Sequence, residues 1–170
     1  MTDVTLEFAT TDTQLCAVRQ LCWDYRDFLL GFDPDVAAMT AQFYPREAYA
    51  ALMGTLADEH ARPHGMILLA SMDGVPAACG MTKTLAPGVA ELKRVFVTPA
   101  ARGQHLGRRI CDRAIEQLRA DRMKRLHLDT ARALAPARAL YENMGFVPCA
   151  PYYDAPPKAL PFLCFYEMTL

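Results

Sequence analysis

Hydrophobic and polar positions divide the chain into segments of two different periods. "VTLEF", Val4 to Phe8, alternates and reads as a short strand, and "TTDTQ" then offers a helix start with Thr11 as N-cap and Gln14 three residues on. Leu15, Val18, Leu21, Cys22, Tyr25 and Leu29 follow at helical spacing as far as Gly31. A second helical region covers about residues 35–59 and is divided at Pro45, whose ring does not fit a helix interior. In "GMILLASMDGVPAACGMTKTL" the character changes: two apolar runs flank Asp73-Gly74, a compact hairpin signal. Another strand covers Val89 to Val97, and a helix then places Leu106, Ile110, Ala114 and Leu118 on one side and an Arg-rich set on the other.

The remainder alternates strand and helix. "RLHLDT" is a short strand, and "LAPARALYENMG" is a helix with Pro136 in its first turn and Gly145 as its stop. "FVPCAPYY" is extended, and "FLCFYEMTL" closes the chain as a strand. The order β-αα-β-β-β-α-β-α-β-β predicts one domain over residues 1–170, an α/β or α+β sandwich in which helices pack on a mixed sheet.

Composition narrows the function classes. A chain with 52% hydrophobic residues and a net charge of −1 describes an ordinary globular protein and gives no electrostatic case for nucleic acid or an anionic membrane. The basic residues are nonetheless clustered, eight of the eighteen lying between Arg102 and Arg125. That cluster is either a solvated helix face or a site for one polyanionic ligand. The six cysteines show neither a C-x-x-C pair nor a metal-ligand spacing, which reads as reduced thiols in the cytoplasm, and the histidines likewise suggest no metal. We expect no signal peptide and no membrane span.

The stretch "VFVTPAARGQHLGRRI" joins a strand, a Gly-containing turn and a helix start. A helix N-terminus exposes unpaired N–H groups and partial positive charge, so it suits an anion. Gly103 lets the backbone turn, Gly107 permits close approach to the first helical turn, and Arg102, Arg108 and Arg109 can add charge-assisted contacts. Basic residues there oppose the helix dipole unless an anion is bound, which points toward phosphate. The fingerprints of P-loop and dinucleotide binders are missing.

"V-x-P-x-x-R-G-x-x-L-G", Val97 to Gly107, resembles the acetyl-CoA motif of the GNAT superfamily of N-acetyltransferases, with His105 where a middle Gly is usual. "A-x-x-L-Y-E-x-x-G-F", Ala137 to Phe146, is similar to the family's second block. The resemblance implies a mixed, largely antiparallel sheet with splayed strands, flanked by helices, and acetyl-CoA as acyl donor. It implies that Val95, Phe96 and Val97 offer backbone to the pantetheine arm. Arg102, Gly103 and Gln104, then His105, Leu106, Gly107 and Arg108, would cradle the pyrophosphate. It does not extend to Leu134, where many relatives carry Asn.

Acetyl transfer needs a deprotonated amine and a proton for the departing thiolate. By the resemblance Tyr141 is the general acid; packing against the sheet is the alternative. Glu91 is the best carboxylate for the base, since on an extended strand Glu91, Lys93 and Val95 share one face that Val97 continues. It could equally be a strand Glu paired with Lys93 or Arg94. Tyr152, Tyr153 and Trp23 are the candidates for the acceptor pocket. The reading is an N-acetyltransferase acting on a primary amine of a small or amino-acid-like acceptor by direct attack. A non-catalytic acyl-CoA-binding module and a nucleotide-phosphate binder are the other readings. An exposed sheet edge or the Arg-rich helix could pair subunits as a homodimer.

Overall fold

A computed structural model describes residues 3–170. The chain begins with strand β1 (Val4–Phe8), then three helices, α1 (Asp12–Phe32), α2 (Pro34–Phe43) and α3 (Arg46–Glu59). The expected capping box starts α1: Thr11 Oγ1 accepts from the Gln14 N–H, and Gln14 Oε1 accepts from the Thr11 N–H. Pro45 separates α2 from α3, so the second helical region is two helices, and Asp33 caps α2 through the N–H groups of Asp35 and Val36.

Strands β2 (Gly65–Met72), β3 (Val75–Ala86) and β4 (Val89–Val97) form an antiparallel meander. Helix α4 (Leu106–Ala120) then crosses to β5 (Arg125–Ala131), and α5 (Ala135–Asn143) leads to β6 (Val147–Pro148) and β7 (Leu163–Thr169). The seven-stranded sheet runs β1-β2-β3-β4-β5-β7-β6, and among the described residues only the β4–β5 pair is parallel. The expected extended piece "FVPCAPYY" pairs with β7 through Val147 and Pro148, and the Cys149 N–H still donates to the Phe165 carbonyl at 2.9 Å. Pro148 and Pro151 lack an N–H, and the ladder ends there.

Both sheet faces are covered, which explains why β2 reads as a continuous apolar run. Met66, Leu68 and Ala70 join the core under α4 and α5, where Ile110, Ala114 and Leu118 meet the sheet. Ile67 and Leu69 point the other way, into the core with Val18, Leu21, Met53 and Leu56 of α1 and α3. Gly80 of β3 lets α4 come close, since a Cβ there would lie 2.6 Å from Ile110 Cγ2. Among the described residues no helix is long and apolar enough to cross a membrane.

Candidate active site

Two irregularities of β4 create the site. The first is where it parts from β5. The two strands pair at Val89–Arg125, Ala90–Leu126 and Glu91–His127, and beyond those three positions β4 continues to Val97 with no partner on that side. Its N–H and C=O groups there are free for a ligand, because a strand must satisfy them with something. A cleft of about 690 Å³ opens in the gap, bounded by Leu92 to Val97 on one strand and Asp129 and Thr130 on the other.

The second irregularity is a bulge. Cys79 faces Phe96 and Met81 faces Lys93, so Arg94 and Val95 together oppose the single residue Gly80. Arg94 takes a left-handed conformation, φ 51°, to make the extra step. The bulge reverses the alternation. Ala90 and Leu92 before it and Val95 and Val97 after it all pack into the core under α4, while Phe96 turns toward α1. This corrects the expectation that Glu91, Lys93, Val95 and Val97 share one face.

At the far end of β4 the chain turns through Pro99–Ala101 into α4. Gly103 holds φ 83° in that turn, a conformation that favours glycine. His105, the N-cap of α4, is also left-handed at φ 56°, where a Gly would be unstrained, and it is exposed at the border of the cleft. No side chain caps α4 and no acidic residue lies in its first turn. The N–H groups at its start therefore have no anionic partner of their own, and Gly103, His105, Leu106, Gly107 and Arg108 border the cleft. Arg102 also borders it, its guanidinium 4.9 Å from the Phe28 ring centroid. Gln104 does not border it: the turn directs that residue outward.

Opposite α4, α5 brings Tyr141 to the cleft. Its ring is buried edge-on to Phe146 at 5.8 Å, and burial pushes its phenol well above the ordinary range, which keeps it protonated. Leu134 and Asn143 border the same cleft. Val95, Phe96 and Val97 are likewise at its wall.

Glu91 lies elsewhere. It is 3% exposed and is held by Lys93 Nζ at 3.2 Å, Lys83 Nζ at 3.8 Å and the Tyr152 hydroxyl at 2.8 Å. It borders neither this cleft nor the cavity beside it, because it sits where β4 and β5 are still paired. Tyr152 follows it, donating to Glu91 and stacking on His127 at 4.5 Å, and so is also outside both cavities. Trp23 packs edge-on against Tyr49 at 5.0 Å, with Arg46 over its ring, and reaches neither cavity.

A second cavity of about 320 Å³ adjoins the cleft, and the two share Tyr25, Leu92, Lys93, Arg94, Asp129, Thr130 and Leu134. Tyr153 does border this one, donating its hydroxyl to Asp129 Oδ2 at 2.9 Å. Burial is the largest influence on Asp129 and raises its carboxyl above 3.8, against the opposing pull of Lys93 and the Tyr153 hydrogen bond. Sequence reasoning missed this residue. Its one signal was being the sole acid of "RLHLDT".

The sheet register also unites residues that spacing kept apart. His127 pairs with Glu167, and Cys149 joins them, with their ligand-type atoms all within 4.8 Å of one another. Glu167 is engaged by Arg125 at 3.3 Å, and the cysteine sulfur stands 3.9 Å from His127 Nδ1.

The acetyltransferase (GNAT) family model matches residues 22–146. The chain belongs to that family. This GNAT protein is 34% identical over 119 residues to an IAA acetyltransferase of Azospirillum brasilense, covering 69% of this chain and 75% of that one. It is 40% identical over 78 residues to a mycothiol acetyltransferase of Beutenbergia cavernae, covering 46% of this chain and 26% of that much longer relative. An acetyltransferase structure from Streptococcus agalactiae superposes with a TM-score of 0.76 at 18% identity, over 98% of each chain. PaiA N-acetyltransferase of Thermoplasma acidophilum, solved in complex with coenzyme A, gives 0.69 at 13% identity over 99% of each chain. As a GNAT member the protein is an acetyltransferase, and the splayed, mixed sheet is the fold of those structures.

Proposed function

We propose that the protein transfers the acetyl group of acetyl-CoA to the primary amine of a small acceptor by direct attack. The observation that carries this reading is the continuity of the cleft. Unpaired β4 backbone leads through the Gly103 turn to an uncapped helix N-terminus, which together suit a pantetheine arm ending in a pyrophosphate. The complex of PaiA N-acetyltransferase with coenzyme A supports coenzyme A as the carrier.

In this reading Asp129, at the junction of the two cavities, takes the proton of the attacking amine, directly or through water. A carboxyl raised by burial is a better match to that task than an ordinary one. Glu91 is instead a structural charge, neutralised by two lysines. A backbone N–H of the splayed strand polarises the thioester carbonyl. Tyr141 returns a proton to the departing sulfur. Its phenol is a weaker acid than usual, but the same apolar surroundings raise the thiol's affinity for the proton. All six cysteines are free, which fits a reducing, cytoplasmic setting.

Calorimetric titration with acetyl-CoA, CoA and ATP, followed by thiol release against an amine panel, tests the reading. We expect acetyl-CoA to bind and at least one amine to release thiol. Binding of acetyl-CoA with no release would favour a regulatory acyl-CoA module, and tighter binding of ATP would remove coenzyme A from the proposal.

A further inference from the structure

The second cavity carries more positive charge than the protein itself balances. Arg26, Lys93 and Arg94 border it with one carboxylate, Asp129. Lys93 is engaged by Glu91 at 3.2 Å. Arg94 has no carboxylate within 4.0 Å among the described residues; its guanidinium donates to Met81 Sδ at 3.8 Å and lies beside the Tyr49 hydroxyl. Arg26 is 8% exposed; its Nε donates to the Tyr44 carbonyl at 2.9 Å. Its nearest carboxylate is Asp27, 4.0 Å away on a side chain 70% exposed. Two guanidiniums thus border the cavity with neither paired to a buried carboxylate, an arrangement that is costly until an anion completes it.

The local backbone supports the same point. Arg94 is the residue held left-handed at the bulge, and strain of that kind, about 1 kcal/mol or more, persists where the surroundings fix it for a use. Most of the remaining lining is apolar or aromatic, with Leu29, Val36, Met39 and Phe43 on its walls. Its volume of about 320 Å³ suits a small molecule.

We infer that this cavity binds an aminocarboxylate with an apolar side chain, an aromatic or branched aliphatic α-amino acid, whose carboxylate is held by Arg94 and Arg26 while its amine lies at Asp129. A guanidinium matches a carboxylate in two parallel hydrogen bonds, which accounts for arginine at these positions. The side chain occupies the apolar wall, and the amine faces the cleft where the donor lies. The inference rests on the acetyl-transfer reading and narrows it to one acceptor class.

The test is thiol release from acetyl-CoA with phenylalanine or leucine, each compared with its amide and its decarboxylated amine, alongside calorimetry of acetyl-CoA alone. We expect kcat/KM for the amino acids to exceed that for both carboxylate-free analogues by tenfold or more. Arg94→Gln should lower kcat/KM for the amino acids by about 10- to 100-fold, the size of a lost charge-assisted pair, and bring the ratio near one. Arg94→Lys should retain part of the preference, and Arg26→Gln should reduce it independently. Equal or better turnover of the amides or amines overturns the inference, as does acetyl-CoA binding with no turnover of any amino acid. Failure to bind acetyl-CoA at all would instead overturn the acetyl-transfer reading beneath it.

Discussion

Asp129 and Tyr141 lie on opposite elements of one cleft, and each is perturbed first by burial. For Tyr141, removing only the hydroxyl should remove proton donation and little else. Tyr141→Phe is expected to lower kcat by about a hundredfold with acetyl-CoA affinity unchanged, as read by steady-state kinetics and calorimetry. Asp129 makes a paired prediction. Between 3.8 and its raised folded value, the folded protein keeps a proton that the unfolded chain has lost. Stability therefore falls as pH rises through that interval. Asp129→Asn should be more stable than the parent above the interval and lose the advantage below pH 3.8, by thermal melts across pH. Its activity should fall by about a hundredfold or more, and the acid limb of the pH–rate profile should disappear. A parent acid limb within the ordinary carboxylate range would argue against Asp129 as the base.

At the scale of elements, the contact of α4 with β3 and the bulge of β4 meet at Gly80. A Cβ there would lie 2.6 Å from Ile110 Cγ2 and 3.4 Å from Val95 Cγ2. The branched Ile110 cannot swing away easily, so Gly80→Ala should cost about 1–3 kcal/mol in denaturant unfolding. Ile110→Ala vacates the space, and the double variant should be less destabilised than the sum of the two, because the clash and the cavity compensate. Simple additivity would mean that the sheet and helix part without strain. The contact matters to function because the same β4 segment and the N-terminus of α4 border the donor cleft.

At the scale of the whole molecule, the cleft and the second cavity meet where β4 leaves β5, and the proposed function puts the donor in the first and the acceptor in the second. Donor binding should protect the amides of residues 92–97 and 103–109 from hydrogen exchange, because those N–H groups border the cleft or begin α4. The β1–β2 edge should be unaffected beyond the global gain, about 2.7 kcal/mol at a donor concentration a hundred times its Kd. Protection spread evenly over the sheet would mean that the ligand does not lie along β4.

Much of this was legible in the chain. Local signals act within a few residues: the Thr11–Gln14 box, the Asp73-Gly74 turn, the Pro45 break and the four-residue steps of α4 each produced the element they announced. The strand–turn–helix stretch at Val95 to Ile110 and the block around Tyr141 also supply two walls of the cleft. Period alone could not reveal the bulge at Arg94, since one inserted step reverses every later side chain and puts Val95 and Val97 on the face opposite Glu91. Nor could it show that β4 and β5 separate after Glu91, which puts Asp129 in the cleft and leaves Glu91 between lysines. Trp23 and Tyr152 failed as pocket residues because aromatic rings follow the packing available to them, here Tyr49 and His127. The sequence by itself determined the elements, their order and the family, because those depend on neighbours along the chain. The tertiary structure alone decided which charges are paired and which face the cavities, because register and strand separation are set between segments far apart in sequence.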